Sequence, residues 1–345
     1  MRIALLNTFS PFIRGGAEIL VDDLLEQLQL HGREVLLYRM PFPQSYEAPL
    51  VATIEAARML CFDEFDRVIA FKFPAYCIRH HAKVIWLFHQ FRQVYELWGS
   101  EYGGYNTSLV AETLRKIITA AYDEDIARSR HIYTNAKEVS NRLKQFNNIN
   151  SVVLPPPLKQ QELYYSDKVG DYIFYPSRIT FIKRQHLAIE AMRHVKSGVR
   201  IIVAGVCSEE GYFDQLKRLI HENKLEKRVE LRNQWISDEE KRELLANALG
   251  VIYIPYQEDS CGFVSMEAFY SAKPVIACTD SGGTRELIED GVNGFEVQPE
   301  PEAIALAMDK LFFDKSMAEH MGKAGLDEII RRDITWSSTV RRLLL

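Results

Sequence analysis

Short β-rich apolar runs alternate with helical patterns along this whole chain, and nothing else in the sequence limits the fold as much. In the first half the runs are Ile3–Asn7, Glu34–Arg39, Arg67–Phe71, Val84–Phe88 and His131–Thr134. In the second they are Tyr172–Tyr175, Arg200–Ala204, Val229–Leu231, Val251–Ile254 and Pro274–Ala277. Several are apolar without alternation, as expected of strands covered on both faces of a parallel sheet. Between them, "AEILVDDLLEQLQLHG" puts Ile19, Leu20, Leu24, Leu25 and Leu28 on one helical face, with Gly32 at the C-cap position. Further helices are expected near 184–196, 211–223, 237–248 and 262–272. The run Pro155-Pro156-Pro157 fits neither a helix nor a central strand and reads as a linker. The expected architecture is α/β, with two Rossmann-like, doubly wound domains at 1–157 and 158–332 and a terminal helix at about 333–345.

Composition excludes several other classes. With 345 residues, 47% apolar and 26% charged, the chain can bury large cores and is not of disordered type. The net charge is −5, and the halves carry 17 basic with 17 acidic and 25 basic with 30 acidic residues. Neither half is a basic module, so no nucleic-acid partner is expected. The five cysteines (Cys61, Cys77, Cys207, Cys261, Cys278) form no CxxC pair, which argues against a zinc knuckle or a disulfide framework and suits a reducing compartment. No signal peptide and no spanning segment are expected.

The chemistry gathers at strand-to-helix junctions. After the first strand, "FIRGGAEIL" places Gly15 and Gly16 before a helix, where bare amides suit an anion and small residues allow close approach. The spacing is not GxGxxG, which disfavours a dinucleotide dehydrogenase. In "YPSRITFIKRQHLAIEAM", Arg178 and Lys183 flank a loop where two cations can converge on a diphosphate. In "EDSCGFVSMEAF", Gly262 opens a helix and Glu267 sits among Phe263, Val264, Met266, Ala268 and Phe269. Burying that carboxylate without a partner would cost several kcal/mol, so a hydrogen-bonded ligand is one offset. Ser281-Gly282-Gly283 forms a second small-residue turn before an expected helix. The triplet Asp123-Glu124-Asp125 falls in a helical charge pattern and reads as structural, as Arg79, His80 and His81 read as surface. Cys261 reads as a small packed residue.

In this order, these segments resemble the family-four retaining glycosyltransferases of GT-B fold over nearly the whole chain. "DSCGFVSMEA" is similar to the family's Glu–seven residues–Glu signature, with Asp259 in the place of the first glutamate and Glu267 in that of the second. "AKPVIACTDSGGTRELIEDGVNGFEV" resembles the run around the family's glycine pair and its Asn-Gly turn, here Asn293-Gly294. The resemblance implies two domains facing an interdomain cleft, with the terminal helix crossing back to the first. It implies catalytic roles for Arg178, Lys183, Asp259, Glu267 and His89. Donor contacts are expected from Gly15, Gly16, Gly205, Gly262, Phe263, Val264 and Ser265, and acceptor or sugar contacts from Arg92, Tyr95, Gly282 and Gly283. Glu258, one place before the signature, is expected to be a bystander. No metal and no cofactor are expected.

The implied reaction moves a hexose from a nucleoside diphosphate sugar to a saccharide or lipid-linked acceptor with retention, in surface polysaccharide or glycolipid synthesis. A cytoplasmic protein with peripheral contact at the inner face of the membrane is expected. A GT-B-like nucleotide-sugar epimerase and an inactive nucleotide-sugar-binding module are the alternatives.

Overall fold

The computed structural model describes residues 1–9, 15–42, 50–103, 108–258 and 260–345. The chain divides into two compact units, Met1–Pro157 with Thr335–Leu345, and Leu158–Ile334.

The first unit contains β1 (Arg2–Phe9), α1 (Gly16–Leu30), β2 (Glu34–Pro41), α2 (Leu50–Met59), β3 (Arg67–Ala70), β4 (Lys83–Leu87), α3 (Leu109–Ala127), β5 (His131–Thr134), α4 (Lys137–Asn147) and β6 (Val152–Val153). Among the described residues its strands form a parallel sheet in the order β2-β1-β3-β4-β5-β6. Every residue of β3 and β4 is buried, whereas β2 at the edge is largely half-exposed, so the apolar runs do follow burial on both faces. The order reverses between β1 and β3, and ligands in such sheets bind beyond the strands' carboxyl ends at that point.

The second unit contains β7 (Tyr172–Pro176), α5 (Gln185–Ala191), β8 (Arg200–Ala204), α6 (Tyr212–Glu222), β9 (Val229–Arg232), α7 (Asp238–Ala246), β10 (Gly250–Ile252), α8 (Phe263–Tyr270), β11 (Val275–Cys278), β12 (Gly294–Val297), α9 (Pro301–Phe313) and α10 (Lys315–Arg331). Its parallel sheet runs β12-β11-β10-β7-β8-β9, which numbered within the unit is the Rossmann order. The reversal falls between β7 and β10.

The last helix, α11 (Trp336–Leu343), belongs to the first unit. Thr339, Val340 and Leu343 are buried there, Arg67 donates to the carbonyl of Leu343 at 3.0 Å, and the Tyr133 hydroxyl donates to that of Arg342 at 2.9 Å. Val340 and Leu343 supply the apolar stripe that "TWSSTVRRLLL" promises.

Several elements differ from the sequence reading: β6, α2, α9 and α10 are not among the expected strands and helices, and three further differences fall in the second unit. β12 is not anticipated, and Gly294 begins it because a Cβ there would stand 2.1 Å from the carbonyl oxygen of Val275. Pro274 lies outside β11, and its carbonyl accepts from Val251 at 2.9 Å. The segment after Ser281 is a 3-10 turn, Gly282–Leu287, and not an α-helix.

Candidate functional site

In the second unit, the loops after β7, β10 and β11 leave the carboxyl ends of adjacent strands and are tied to one another. β7 ends at Pro176, and the backbone then passes close over the start of the loop after β8. A Cβ on Gly205 would stand 1.9 Å from the carbonyl oxygen of Ser177, so the close approach admits only glycine there. The Ser177 amide donates to Ala204 at 3.1 Å, and that of Gly205 to Arg232 at 3.1 Å. Gln185, fully buried, closes the loop from the other side. Its Nε2 donates to Ser177 Oγ and to the Arg178 carbonyl, both at 2.9 Å, and its Oε1 accepts from the Thr180 amide at 3.3 Å. The backbone of Arg178 is thereby fixed while its side chain is exposed, with no ion pair among the described residues.

Lys183 is differently placed. Its Nζ donates to the Tyr253 hydroxyl at 2.8 Å and pairs with Oε2 of Glu258, and the two charged side chains are only 15% and 13% exposed. The Tyr253 hydroxyl also donates to Glu258 at 2.9 Å. Burial, and then the Glu258 carboxylate, holds that phenol protonated well above its ordinary value. Glu258, expected as a bystander, is therefore the partner of one of the two predicted phosphate cations.

Arg184, the next residue, is 5% exposed and braces the cluster. Its backbone is left-handed, with φ 57°. Its guanidinium donates to the carbonyls of Ile254 at 2.7 Å and Pro255 at 3.2 Å and takes both oxygens of Asp280 at 2.7 Å. The Gln257 amide donates to the Asp280 carbonyl and the Gly283 amide to the Glu258 carbonyl, each at 2.9 Å. Gly282 has φ 59°, and a Cβ there would stand 2.4 Å from the Glu258 carbonyl oxygen. Gly282 and Gly283 therefore serve to lock the loop after β10 onto the loop after β11.

Gly262, with φ 79°, starts α8 against the Tyr253 ring, where a Cβ would lie 3.0 Å from Cε1. The first intrahelical bonds run from Ser265 and Met266 to the Gly262 carbonyl, so the amides of Phe263 and Val264 have no acceptor within the helix. Phe263 and Val264 are half-buried, and Ser265 is buried with its hydroxyl unpartnered among the described residues. Cys261 is packed, and burial pushes its thiol up to about 12. Asp259 lies outside the described residues.

Glu267 is 6% exposed, as its apolar flanks imply, but its burial is offset by the protein itself. Oε1 accepts from Lys241 Nζ at 2.6 Å and from the Tyr164 hydroxyl at 3.1 Å. Burial opposes the charge on Lys241, yet Glu267 more than offsets this and raises the lysine above its ordinary value. The sequence signals neither partner, which lie 26 and 103 residues away in the chain.

In the first unit, Gly15 caps α1, and its amide donates to the Glu18 carboxylate at 3.0 Å. Glu18 pairs with Lys72, just beyond β3, at 2.6 Å, so this pair spans the β1/β3 reversal. Gly16 is exposed at the start of α1. His89 follows β4 half-buried, and its Nδ1 lies 2.6 Å from the Gln90 carbonyl, which can only accept and so assigns a proton to Nδ1. Arg92 pairs with Glu96 at 2.8 Å, and Glu96 in turn meets Arg142 at 3.0 Å. Tyr95 is only 5% exposed, lies edge-on to Tyr122 at 5.4 Å, and accepts from Asn147 at 3.1 Å. It is a core residue, and the expectation of a sugar contact is corrected on that ground. The acidic triplet sits on α3, where Asp125 and Glu124 meet Arg58 at 2.9 and 3.1 Å, and Asp123 accepts from Asn147 at 2.6 Å. His80 is not surface: its ring nitrogens are held by the Phe65 carbonyl and the Ala82 amide.

Comparison with known proteins agrees with this geometry. The family model described as "Glycosyl transferases group 1" matches residues 160–327, which is nearly all of the second unit. The chain is 32% identical over 156 residues to the human alpha-1,3/1,6-mannosyltransferase ALG2, covering 41% of this chain and 37% of that protein. It is 37% identical over 114 residues to the mouse protein, covering 33% and 27%. The matches thus span less than two fifths of those relatives' length. Among solved structures, the sucrose-phosphate synthase of Thermosynechococcus elongatus aligns with a TM-score of 0.78 at 16% identity, covering 99% of this chain and 97% of that one. Anabaena HepE in complex with UDP-glucose aligns with a TM-score of 0.71 at 18% identity, covering 100% and 98%. The Rossmann order of the second unit and the full-length likeness to these solved structures give the chain the GT-B fold, and its residues 160–327 match the glycosyl transferases group 1 family.

Proposed function

We propose that this protein is a retaining, family-four glycosyltransferase that moves a hexose from a nucleoside diphosphate sugar to a saccharide or lipid-linked acceptor. One observation carries the reading: Arg178, exposed and with no ion pair among the described residues, has its backbone fixed at the β7/β10 reversal, on the loop that also carries Lys183. Fixed donors aimed at developing charge are the economical way to stabilise a departing diphosphate, because they need no reorganisation during the reaction. The anomeric C–O bond breaks and its electron pair passes to the β-phosphate oxygen, which Arg178, Lys183 and the helix amides stabilise. The acceptor oxygen bonds the anomeric carbon on the same face, and its proton goes to the departing phosphate oxygen. This route requires neither a side-chain base nor a metal. Glu267, held through Oε1 by Lys241 and Tyr164, is assigned to the donor ribose, and Asp259 to the sugar hydroxyls. The relatives named for UDP-glucose and for mannosyl transfer support a nucleotide-sugar donor.

The same reading puts the protein in the cytoplasm, in contact with the inner face of a membrane. Supporting it, Leu109, Val110 and Ile117 are 80%, 70% and 40% exposed on α3, with Lys116 among them. No helix among the described residues is long and apolar enough to cross a membrane. The sequence also offers aromatic residues for such contact at Tyr95, Trp98, Tyr102 and Tyr105; of these Tyr95 is a core residue and Tyr105 lies outside the described residues.

A thermal-shift panel of nucleoside diphosphate sugars tests the proposal. A ligand at 100 times its Kd adds ~2.7 kcal/mol of stability. At least one should stabilise the wild type, and Arg178→Ala should weaken that ligand by on the order of 100-fold without lowering the ligand-free melting temperature. Stabilisation by none of them would refute it. Transfer to an acceptor, and not donor epimerisation, is the second readout.

A further inference from the structure

The diphosphate grip contains an acid that the proposed reaction does not use. Lys183 has three N–H donors, of which one goes to the Tyr253 hydroxyl and another to Glu258. The Tyr253 hydroxyl donates to the same Glu258 oxygen, so lysine, phenol and carboxylate close a three-membered ring of hydrogen bonds. The backbone of Glu258 is pinned by the Gly283 amide at 2.9 Å and by the close packing of Gly282. The carboxylate therefore meets Lys183 from a fixed backbone. A diphosphate drawn to Lys183 then meets a like charge beside its own target.

We propose that Glu258 is a displaceable counter-anion that competes with the diphosphate for Lys183 and so limits how tightly both donor and product nucleotide are held. The inference rests on the donor reading given above. It makes Glu258 a positioning residue: it orients Lys183 and Tyr253, and it weakens the hold on the nucleoside diphosphate that must leave after transfer. Where product release sets the turnover rate, such a residue raises kcat while lowering affinity.

Isothermal titration of UDP and of GDP into the wild type, Glu258→Gln, Lys183→Ala and the double variant tests this. Glutamine keeps an oxygen that accepts from Lys183 and Tyr253 and removes only the charge. Glu258→Gln should bind whichever nucleotide the wild type binds at least about tenfold more tightly, equivalent to ~1.4 kcal/mol. That gain should shrink in the Lys183→Ala background, and the uncharged nucleoside should bind both proteins alike. Steady-state kinetics should show a lower KM with kcat unchanged or reduced, a split that a purely structural role would not produce. If Glu258→Gln folds poorly, Glu258→Ala carries the same expectation. Equal or weaker binding by the folded variants overturns the inference. The donor reading is judged separately, by wild-type binding that Arg178→Ala weakens, and a wild type that binds neither nucleotide overturns both.

Discussion

Gly205→Ala is a one-carbon change whose effect can be worked out from the backbone. The new Cβ would lie 1.9 Å from the Ser177 carbonyl oxygen, 2.7 Å from its carbon and 3.3 Å from the Arg178 nitrogen. Carbon and oxygen in contact stand ~3.3 Å apart, so the two loops must separate by about 1.4 Å. The atoms struck belong to the backbone, so no side-chain rotation relieves the clash. The separation strains the Ser177–Ala204 and Gly205–Arg232 hydrogen bonds, both 3.1 Å long. Overpacking of this kind costs about 1–3 kcal/mol, and a rigid target puts this case toward the upper end. The displaced segment carries Arg178, and an error of ~1 Å in a positioning group can cost ~100-fold in rate. Urea denaturation and nucleotide titration read the two effects. Gly198→Ala is the matched control, because its nearest contact is Phe312 Cζ at 3.4 Å, and it should stay within ~0.5 kcal/mol of wild type. If Gly205→Ala matches that control in stability and keeps wild-type nucleotide affinity, the reasoning from close approach is wrong.

Three further outcomes are expected. Lys241→Met leaves the Glu267 carboxylate buried with only Tyr164 on Oε1 and should cost about 1–3 kcal/mol in chemical denaturation, whereas Lys241→Arg should cost less. Asp280→Asn removes the charge that faces the Arg184 fork and should destabilise the second unit by about 2–4 kcal/mol, read by calorimetry; Asp280 is 27% exposed, which keeps the loss below that of a fully buried pair. Burial lowers Lys83 and Lys273 each to about 8, from 10.5. The unfolded chain therefore binds more protons than the folded one above pH 8, and stability should rise with pH, by up to ~1.4 kcal/mol per unit for each lysine. From about pH 8 upward the buried thiols of Cys77, Cys261 and Cys278, whose protons burial retains, act in the opposite sense, so the lysine contribution between pH 8 and 9 is read as the difference between a lysine variant and wild type. Denaturation midpoints across this window should rise less steeply in Lys83→Met than in wild type.

What the sequence discloses depends on how local the physics is. Strands such as "RVIA" and "VIAC" are legible because burial on both faces writes an unbroken apolar run. Arg178 and Lys183 are legible because a strand, a loop and a helix occur within about twenty residues. Glu267 is legible as buried, but its offset by Lys241 and Tyr164 is not, since those partners come from elsewhere in the chain. The same limit explains Gln185, a glutamine inside a helical pattern that proves to be the clamp on the Arg178 loop. It explains Arg184 as well, which is adjacent to Lys183 yet faces Asp280 from a left-handed backbone. Tyr95 misleads in the opposite direction: beside charged neighbours it reads as accessible, while Tyr122 and Phe146 enclose it.

The return of α11 to the first unit makes that unit a discontinuous domain, with the whole second unit inserted between two of its parts. During synthesis the ribosome releases Leu158–Ile334 before it releases the helix that covers the first sheet. Domains generally fold as units as the chain emerges. Here the second unit can complete its core while the first still lacks Thr339, Val340 and Leu343. The first unit, although translated first, would then be the last to mature, and a chain stopped at Ile334 should acquire nucleotide binding before it acquires a stable first unit.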